Sequence, residues 1–220
     1  MKNAITLFFM VILLTMATAL NAQKLGVKAG LNLSNILIKD NFDTYTDNNK
    51  LSPGFNAGVT VEFSSVGIFG FETGLMLMTK GFRYEEKGAD YNFSEKANVY
   101  YIDVPITAKA TFDVGGPKIY ALLGPFVGVG ITGKYKWDDT YMGYTDSGTE
   151  TVTWGSDADN DDFKRLDYGI IGGAGAQINS IKLEITYGLG LANISAYTED
   201  GFMLKNRVIS LSVGYIFGGK

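Results

Sequence analysis

Apolar and polar side chains alternate along most of the chain with a period of two. From residue 25 the odd positions (Leu25, Val27, Ala29, Leu31 and Leu33) are apolar, whereas the even positions between them are small or polar. Since successive side chains of a β-strand point to opposite faces, this period predicts a strand with one apolar and one polar face. The alternation returns seven more times, which predicts eight strands at residues 24–36, 54–63, 68–84, 99–112, 118–135, 165–178, 181–193 and 206–217.

The segments between the predicted strands alternate in length. Those at 64–67, 113–117 and 179–180 are short, whereas those at 37–53, 85–98, 136–164 and 194–205 are long. Short turns at one end and long loops at the other are typical of outer-membrane barrels. The pattern therefore predicts an all-β fold, an eight-stranded antiparallel up-and-down transmembrane β-barrel. Its long loops are expected outside the cell and its termini on the periplasmic side.

The apolar face of the predicted strands is too extensive to be an interior. Forty-seven positions of this face, between Leu25 and Phe217, carry no charge. An eight-stranded interior is only just wide enough to be filled by side chains, so these groups cannot all point inward, whereas a lipid-facing band accepts them. The opposite face, mostly Gly, Ser, Thr and Asn with a few charges, is then expected to line a packed polar interior. A secreted, soluble, lipocalin-like binder is the alternative in which the apolar face points inward.

Aromatic side chains cluster near the predicted strand ends, as expected for the two girdles that anchor a barrel at the membrane interfaces. At the short-turn end these are Phe63, Phe69, Phe112 and Phe217, and at the long-loop end they are Phe55, Tyr100, Tyr135 and Tyr168.

Residues 1–22 have the pattern of a signal peptide. Lys2 gives a positive start, an apolar run follows from Ala4 to Leu20, and Ala22 supplies a small residue for cleavage. A retained transmembrane anchor is the alternative, but the run falls short of the about 20 apolar residues that a spanning helix needs. We therefore expect one mature domain, the outer-membrane β-barrel domain of residues 23–220, located in the bacterial outer membrane.

Composition removes several classes of function. The chain has no cysteine and no histidine, which excludes disulfides, a lipid-modified cysteine, Ser-His-Asp chemistry and histidine-based metal sites. The net charge is −4, and removal of residues 1–22, where Lys2 is the one charged side chain, takes it to about −5. A nucleic-acid partner would require a basic face, so none is expected.

Eight charged residues fall on the inward face of the predicted barrel: Lys28, Glu62, Glu72, Asp103, Lys109, Asp167, Lys182 and Glu184. An unpaired ion in a narrow interior would be costly, so these charges are expected to neutralise one another as a lumen charge network. A proton relay or a catalytic carboxylate pair is the alternative interpretation. No catalytic residue, cofactor or strong metal site is predicted.

The long segment 136–164 is acidic and contains one weak candidate for a divalent ion. Asp157, Asp159 and Asp161 match the first half of a calcium-loop pattern, but Asp162 stands where the pattern requires Gly and Tyr168 where it requires Glu. A solvated acidic loop is the simpler interpretation.

The connection between the sixth and seventh predicted strands fixes a register. Only Asn179 and Ser180 separate them, so a two-residue hairpin with Asn at positive φ is expected. It pairs Ile178 with Ile181, Gln177 with Lys182 and Gly175 with Glu184. Elsewhere Pro105 and Pro125 lie inside predicted strands, where they are expected to mark bulges or strand ends because proline cannot donate to the ladder.

Several of these segments together resemble the PorT-like outer-membrane β-barrel family. Residues 101–106 (Tyr-Ile-Asp-Val-Pro-Ile) are similar to its Tyr-x-x-x-Pro signature, and segments 119–125, 166–175, 183–189 and 213–217 are similar to its later strands. The resemblance covers essentially the whole mature chain. It implies an eight-stranded barrel domain, and it carries over no catalytic or cofactor residue.

The sequence thus favours a non-enzymatic integral outer-membrane protein with a structural or accessory role. Protein secretion and surface interaction through the extracellular loops are the two roles left open, with outer-membrane lipid, lipopolysaccharide and an envelope or secretion protein as partners. An integral-membrane enzyme acting on lipid or peptide through Asp or Glu chemistry is the alternative.

Overall fold

A computed structural model describes residues 23–45, 49–88 and 91–217. The predicted signal peptide, residues 1–22, lies outside the described residues. Within them one short 3-10 turn occurs at Glu199–Gly201, and no helix is long and apolar enough to cross a membrane. Ten strands make up the fold: β1 (Gln23–Lys39), β2 (Asn49–Lys50), β3 (Ser52–Val66), β4 (Phe69–Lys87), β5 (Tyr91–Asp113), β6 (Lys118–Tyr141), β7 (Tyr144–Thr151), β8 (Leu166–Ile178), β9 (Ile181–Gly190) and β10 (Met203–Ile216).

Eight of the strands form a closed antiparallel ring. Hydrogen bonding connects them in the order β4-β3-β1-β10-β9-β8-β6-β5, and β4 also pairs with β5, which closes the path. The first and last strands are neighbours, with Leu31 opposite Leu211. Strands β2 and β7 are short additions, paired with β4 and β6 respectively. The eight predicted strands are therefore the eight strands of the ring.

The predicted orientation of the two faces is confirmed. The apolar positions point outward and are exposed, as for Leu31 at 69% and Leu123 at 64%, while the polar positions between them are buried, as for Asn32 at 1%. An exposed surface this apolar is not stable in water, and it requires an apolar medium around the ring.

The hairpin at Asn179 and Ser180 has the predicted register. Ile178 pairs with Ile181, Gln177 with Lys182, and Gly175 with Glu184. Asn179 has φ 52°, the left-handed conformation that such a turn requires at its first position. This register places Lys182 and Glu184 inside the ring.

The prediction that segments 85–98 and 136–164 are loops is wrong, because much of their length is strand. Residues 85–87 belong to β4 and residues 91–98 to β5, and these strands stay paired as far as Lys87 and Asn92. Segment 136–164 begins with a hairpin in which β6 and β7 pair from Lys134 and Thr151 to Tyr141 and Tyr144. Both segments extend beyond the lipid-facing part of the ring, so they lack the apolar alternation by which the other strands were recognised.

A β-bulge in β6 overturns the girdle assignment of Tyr135. Tyr101 is opposite Gly130, but Tyr100 is opposite Thr132, so the register shifts by one residue. Beyond the shift the odd residues of β6 turn inward, and the Tyr135 ring packs 5.7 Å from that of the buried Phe163. Phe55 and Tyr100 do contact each other on the outside, at 6.1 Å between ring centroids.

The two strand prolines do not mark bulges or strand ends, contrary to expectation. The β4–β5 ladder runs Thr73 to Ile106 and then Met76 to Asp103, so pairing is interrupted opposite Pro105 without a change of register. The β5–β6 ladder is interrupted in the same way at Pro125. The missing N–H groups therefore cost ladder hydrogen bonds without altering which residues face inward.

Ring closure can be tested by a disulfide between the first and last strands. Residues directly opposite in an antiparallel pair have Cα atoms about 4.5–5.5 Å apart, within the range of a disulfide. In Leu31→Cys/Leu211→Cys we expect spontaneous cross-linking in the folded protein, detected as a reduction-sensitive shift in gel mobility. In the control Leu31→Cys/Ser212→Cys the second cysteine points inward and should not cross-link. Equal cross-linking of both pairs, or of neither, would contradict the register.

Candidate functional site

Six ionisable side chains form a network inside the ring near the short-turn end, which we call the lower network: Lys28, Glu62, Glu72, Lys109, Lys182 and Glu184. Lys182 lies 2.7 Å from Glu72 and also donates to Glu62. Lys28 donates to Glu184 at 2.8 Å and lies 3.6 Å from Glu72. Lys109 bonds Glu62 and lies 3.6 Å from Glu72. Three cations thus face three anions, and the set carries no net charge.

Tyr120 belongs to the same layer, although it is not among the predicted lumen residues. Its hydroxyl donates to Glu184 at 3.1 Å, and the Lys109 ammonium lies 3.9 Å from its ring centroid. The ring occupies space left free by Gly175, where a Cβ would lie 2.4 Å from it. On this part of β6 the odd positions point outward, so the even position of Tyr120 was the signal that it points into the lumen.

Above the lower network the interior is filled by hydrogen-bonded amides and hydroxyls. Asn56 donates to Asn32 at 2.7 Å, and Asn32 also accepts from Ser210 at 2.8 Å. The cavity of about 50 Å³ in this region has space for a few water molecules. It is far smaller than the roughly 300 Å³ of the smallest typical ligand pockets.

The remaining two predicted lumen residues, Asp103 and Asp167, lie in a separate group toward the long-loop end. Both bind Lys80, at 2.8 and 2.9 Å, and we call these three residues the upper triad. Asn206 donates to Asp167 at 2.9 Å, while the other carboxylate oxygen of Asp167 has no hydrogen-bond partner. Lys80 was missed, although its even position on β4 places it on the inward face. Gly128 makes room for this group, since a Cβ there would lie 2.1 Å from Asp103.

The interior nearest the long loops is apolar, not polar as the sequence analysis expected. An apolar plug made of Ile36, Phe82, Ala97, Val99, Tyr101, Val152, Phe163, Ala192 and Ile194 fills it. Val152 and Phe163 come from the segment between β7 and β8, which crosses the mouth and bonds Gly133 and Ile194 through backbone groups. Trp154 fits there because residue 130 is glycine, where a Cβ would lie 2.0 Å from the indole. Val152, Trp154 and Phe163 lie outside the predicted strands, so the alternation gave no indication of them. Other plug residues occupy inward positions of predicted strands: Ile36, Phe82, Val99, Tyr101 and Ala192.

Beyond the plug, β4, β5, β6 and β7 continue as a protruding sheet. From Ile131 to Tyr141 β6 advances ten residues, or about 30 Å at the usual rise. Residues opposite one another share a face, and the inward-facing side is aromatic and acidic. We call this the aromatic-acidic face: Tyr84, Glu86, Tyr91, Phe93, Glu95, Tyr135, Trp137, Asp139, Tyr141, Tyr144, Asp146 and Glu150. Among the described residues it includes no basic side chain.

The acidic residues suggested for a divalent ion lie in a turn that is hydrogen-bonded within itself. No group of three or more acidic side chains among the described residues is arranged to hold a metal ion. Asp161 accepts from the backbone N–H of Asp157 at 3.0 Å. Asp157 in turn accepts from the Asn160 side chain and the Asp159 backbone, and these hydrogen bonds lower the pKa of its carboxyl. The carboxylates of Asp157 and Asp161 thus stabilise a local turn.

The interior is closed toward the long loops and open toward the short turns. Its carboxylates and ammonium groups bond one another, and the plug covers them on the long-loop side. A second cavity, of about 270 Å³, opens at the short-turn end beside Lys24, Glu62, Lys109 and Lys118. The lower network separates it from the smaller cavity above.

Solved structures of several outer-membrane proteins are similar to this chain at low identity. The attachment invasion locus protein Ail of Yersinia pestis is 18% identical, with 89% of this chain and 99% of that one covered and a TM-score of 0.36. The outer membrane protein OprG of Pseudomonas aeruginosa is 11% identical, with 89% and 96% covered and a TM-score of 0.44. Outer Membrane Protein W of E. coli is 14% identical, with 89% and 98% covered and a TM-score of 0.37. A search of curated proteins finds no match.

The family comparison covers most of the chain. The family model for the "Outer membrane protein beta-barrel domain" matches residues 21–196, which include the ring from β1 through β9. The match agrees with the exposed apolar wall and the enclosed charged interior. The chain therefore belongs to the outer membrane protein beta-barrel domain family and is a protein of the bacterial outer membrane.

Proposed function

We propose that this protein is a non-enzymatic, integral outer-membrane barrel that serves a structural or accessory role through the surface at its long-loop end. The observation that carries the proposal is the filled interior. The lower network, the upper triad and the apolar plug occupy successive layers of the lumen. With the inside closed toward the long loops, the parts available to a partner outside the cell are the outer wall and the protruding sheet.

Enzymatic chemistry is disfavoured by the same layers. A catalytic carboxylate has to reach a substrate, but Glu72 and Glu184 are 5% and 2% exposed and are bonded to lysines. Glu62 lies at the cavity of the short-turn end, where it is paired with both Lys109 and Lys182. Acidic residues such as Asp139 and Asp146 are accessible on the protruding sheet, but they lie on an open sheet and not in a cleft. The proposal therefore assigns the charges of the lumen to structure.

The aromatic-acidic face is the surface we propose for contact with an envelope or extracellular partner. Tyr144 and Tyr141 are 84% and 59% exposed at its tip. Aromatic rings interspersed with carboxylates attract cationic groups by cation–π and ionic contacts. We expect a partner with a positively charged contact segment.

The resemblance to PorT-like proteins supports a finer assignment within the family. The Tyr101 and Pro105 signature lies where β5 lines the upper triad and the cavity. We place the chain in this PorT-like group, and a link to protein secretion is the role that such membership favours.

The filled lumen predicts an electrically silent protein. Reconstituted in planar bilayers, the wild type should give no stable open-pore current, because the lower network and the plug both block the axis. Trp154→Ala/Phe163→Ala, which trims the plug and leaves the lower network intact, should also remain closed. Large, persistent conductance steps from the wild type would contradict the proposal.

The proposed orientation can be tested by cysteine labelling, since the chain has no cysteine of its own. Tyr144→Cys lies at the tip of the protruding sheet, and Val114→Cys lies in an exposed short turn. A membrane-impermeant maleimide should label the first variant in intact cells and the second only after the outer membrane is opened. Labelling of residue 114 in intact cells would reverse the orientation.

A further inference from the structure

The outward side of the protruding sheet is basic. Lys50 is opposite Arg83, Arg83 is opposite Lys96, and Lys96 is opposite Lys136. Four basic side chains thus stand in one row across β2, β4, β5 and β6. Lys134 lies on the same face as Lys136, two residues closer to the ring. We call these five residues the basic face.

Like charges directly opposite on neighbouring strands are destabilising, so this row requires compensation. Glu85 compensates one end, where it bonds both Lys50 and Arg83. Within the described part of the chain, no ion pair is found for Lys96 or Lys136. The next carboxylate on this side of β6 is Asp138, two residues toward the tip. An anion from outside the chain is therefore the natural counterion for these two lysines.

The position of the basic face indicates where that anion comes from. The face continues the outer wall of the barrel, and the Phe55 and Tyr100 ring pair lies between it and the exposed apolar band. Aromatic rings at this position mark the membrane interface. Lys134 lies two residues beyond the Tyr100–Thr132 pair, and Lys96 and Lys136 lie four residues beyond it, or about 7 and 13 Å along the strands. The lysines therefore stand just above this interface, within reach of groups that are fixed at the membrane surface.

Basic residues continue around this rim, whereas no described outward position at the other rim is basic. Lys205 and Arg207 on β10 and Lys39 on β1 occupy outward positions near the long-loop end. The buried Nε of Arg207 has no hydrogen-bond partner. At the short-turn end the described outward positions carry no charge, and most are apolar, as for Phe69 and Phe112. Lys24 and Lys118, which lie near that end, line the mouth of the lumen.

We propose that the basic face binds the phosphate groups of lipopolysaccharide in the outer leaflet. Neighbouring strands lie about 4.8 Å apart, so one phosphate can accept hydrogen bonds from lysines on adjacent strands, and charge-assisted bonds of this kind are strong. The inference deepens the proposed function and rests on the orientation assigned there, with the long loops outside the cell. The occupant is an anionic glycolipid, held between the apolar wall and the lysines.

The test measures binding of diphosphoryl lipid A to the full mature chain in neutral-detergent micelles by native mass spectrometry. Lys96→Gln/Lys136→Gln should weaken binding roughly 30-fold, because each lysine at a membrane surface contributes about 1 kcal/mol. Lys24→Gln/Lys118→Gln removes the same charge at the other end and should bind like the wild type. Heat-modifiable gel mobility verifies that both variants are folded.

Two further probes identify the source of the phosphate. Chemically dephosphorylated lipid A should bind as weakly to the wild type as diphosphoryl lipid A binds to Lys96→Gln/Lys136→Gln. Inorganic phosphate at equal concentration should not displace diphosphoryl lipid A from the wild type. Displacement by inorganic phosphate would assign a site for a free anion and overturn the proposal. Equal loss in both double variants, or loss in neither, would also overturn it. The absence of current in planar bilayers and the labelling at residue 144 do not depend on these binding results. The proposed function is therefore tested separately.

Discussion

A narrow protein interior can hold ionised side chains only when opposite charges meet within it, and the rest of this barrel depends on that constraint. Removing an ion from water costs several kcal/mol, which is offset only when partners and hydrogen bonds are well placed. In the lower network Lys182 meets this condition by binding Glu62 and Glu72 together. Glycine at position 175 leaves room for Tyr120, which completes the hydrogen bonds of Glu184.

The same constraint explains why the two ends of the barrel differ. Near the short turns, charges fill the lumen and the outer rim is mostly apolar. Near the long loops, apolar side chains such as Phe163 fill the lumen, while lysines such as Lys136 stand outside. The plug shields the upper triad from the solvent on that side. Because the interior is closed toward the long loops, interaction with molecules outside the cell is left to the surface.

Much of the fold could be predicted from the sequence because an apolar exterior imposes a strict period of two. The register at Asn179 followed from the short turn and the requirement that Lys182 avoid lipid. Where that constraint ends, prediction failed. The protruding strands lie beyond the lipid-facing part of the ring, so Lys87 and Asn92 gave no apolar pattern. A single bulge in β6 then turned Tyr135 from the outside to the inside.

The sequence could predict which charged residues point into the lumen, but not which of them bind one another. Lys28 and Glu184 were predicted because they occupy inward positions in the alternation. The alternation does not show which strands face one another across the lumen. The missed Lys80 occupied an inward position on β4, and its role appears only when Asp103 and Asp167 are brought to it by β5 and β8. Plug residues such as Val152 come from an irregular segment that no periodicity describes.

The central claim is that mutual neutralisation of charge stabilises the closed lumen, and a double-mutant cycle tests it most directly. Unfolding by urea in lipid vesicles would be measured for Lys182→Gln, Glu72→Gln and the double variant, with the exposed pair Lys50 and Glu85 as the matched control. We predict a coupling free energy above about 1.5 kcal/mol for the buried pair and below about 1 kcal/mol for the exposed one. Equal, small couplings for both pairs would contradict the account.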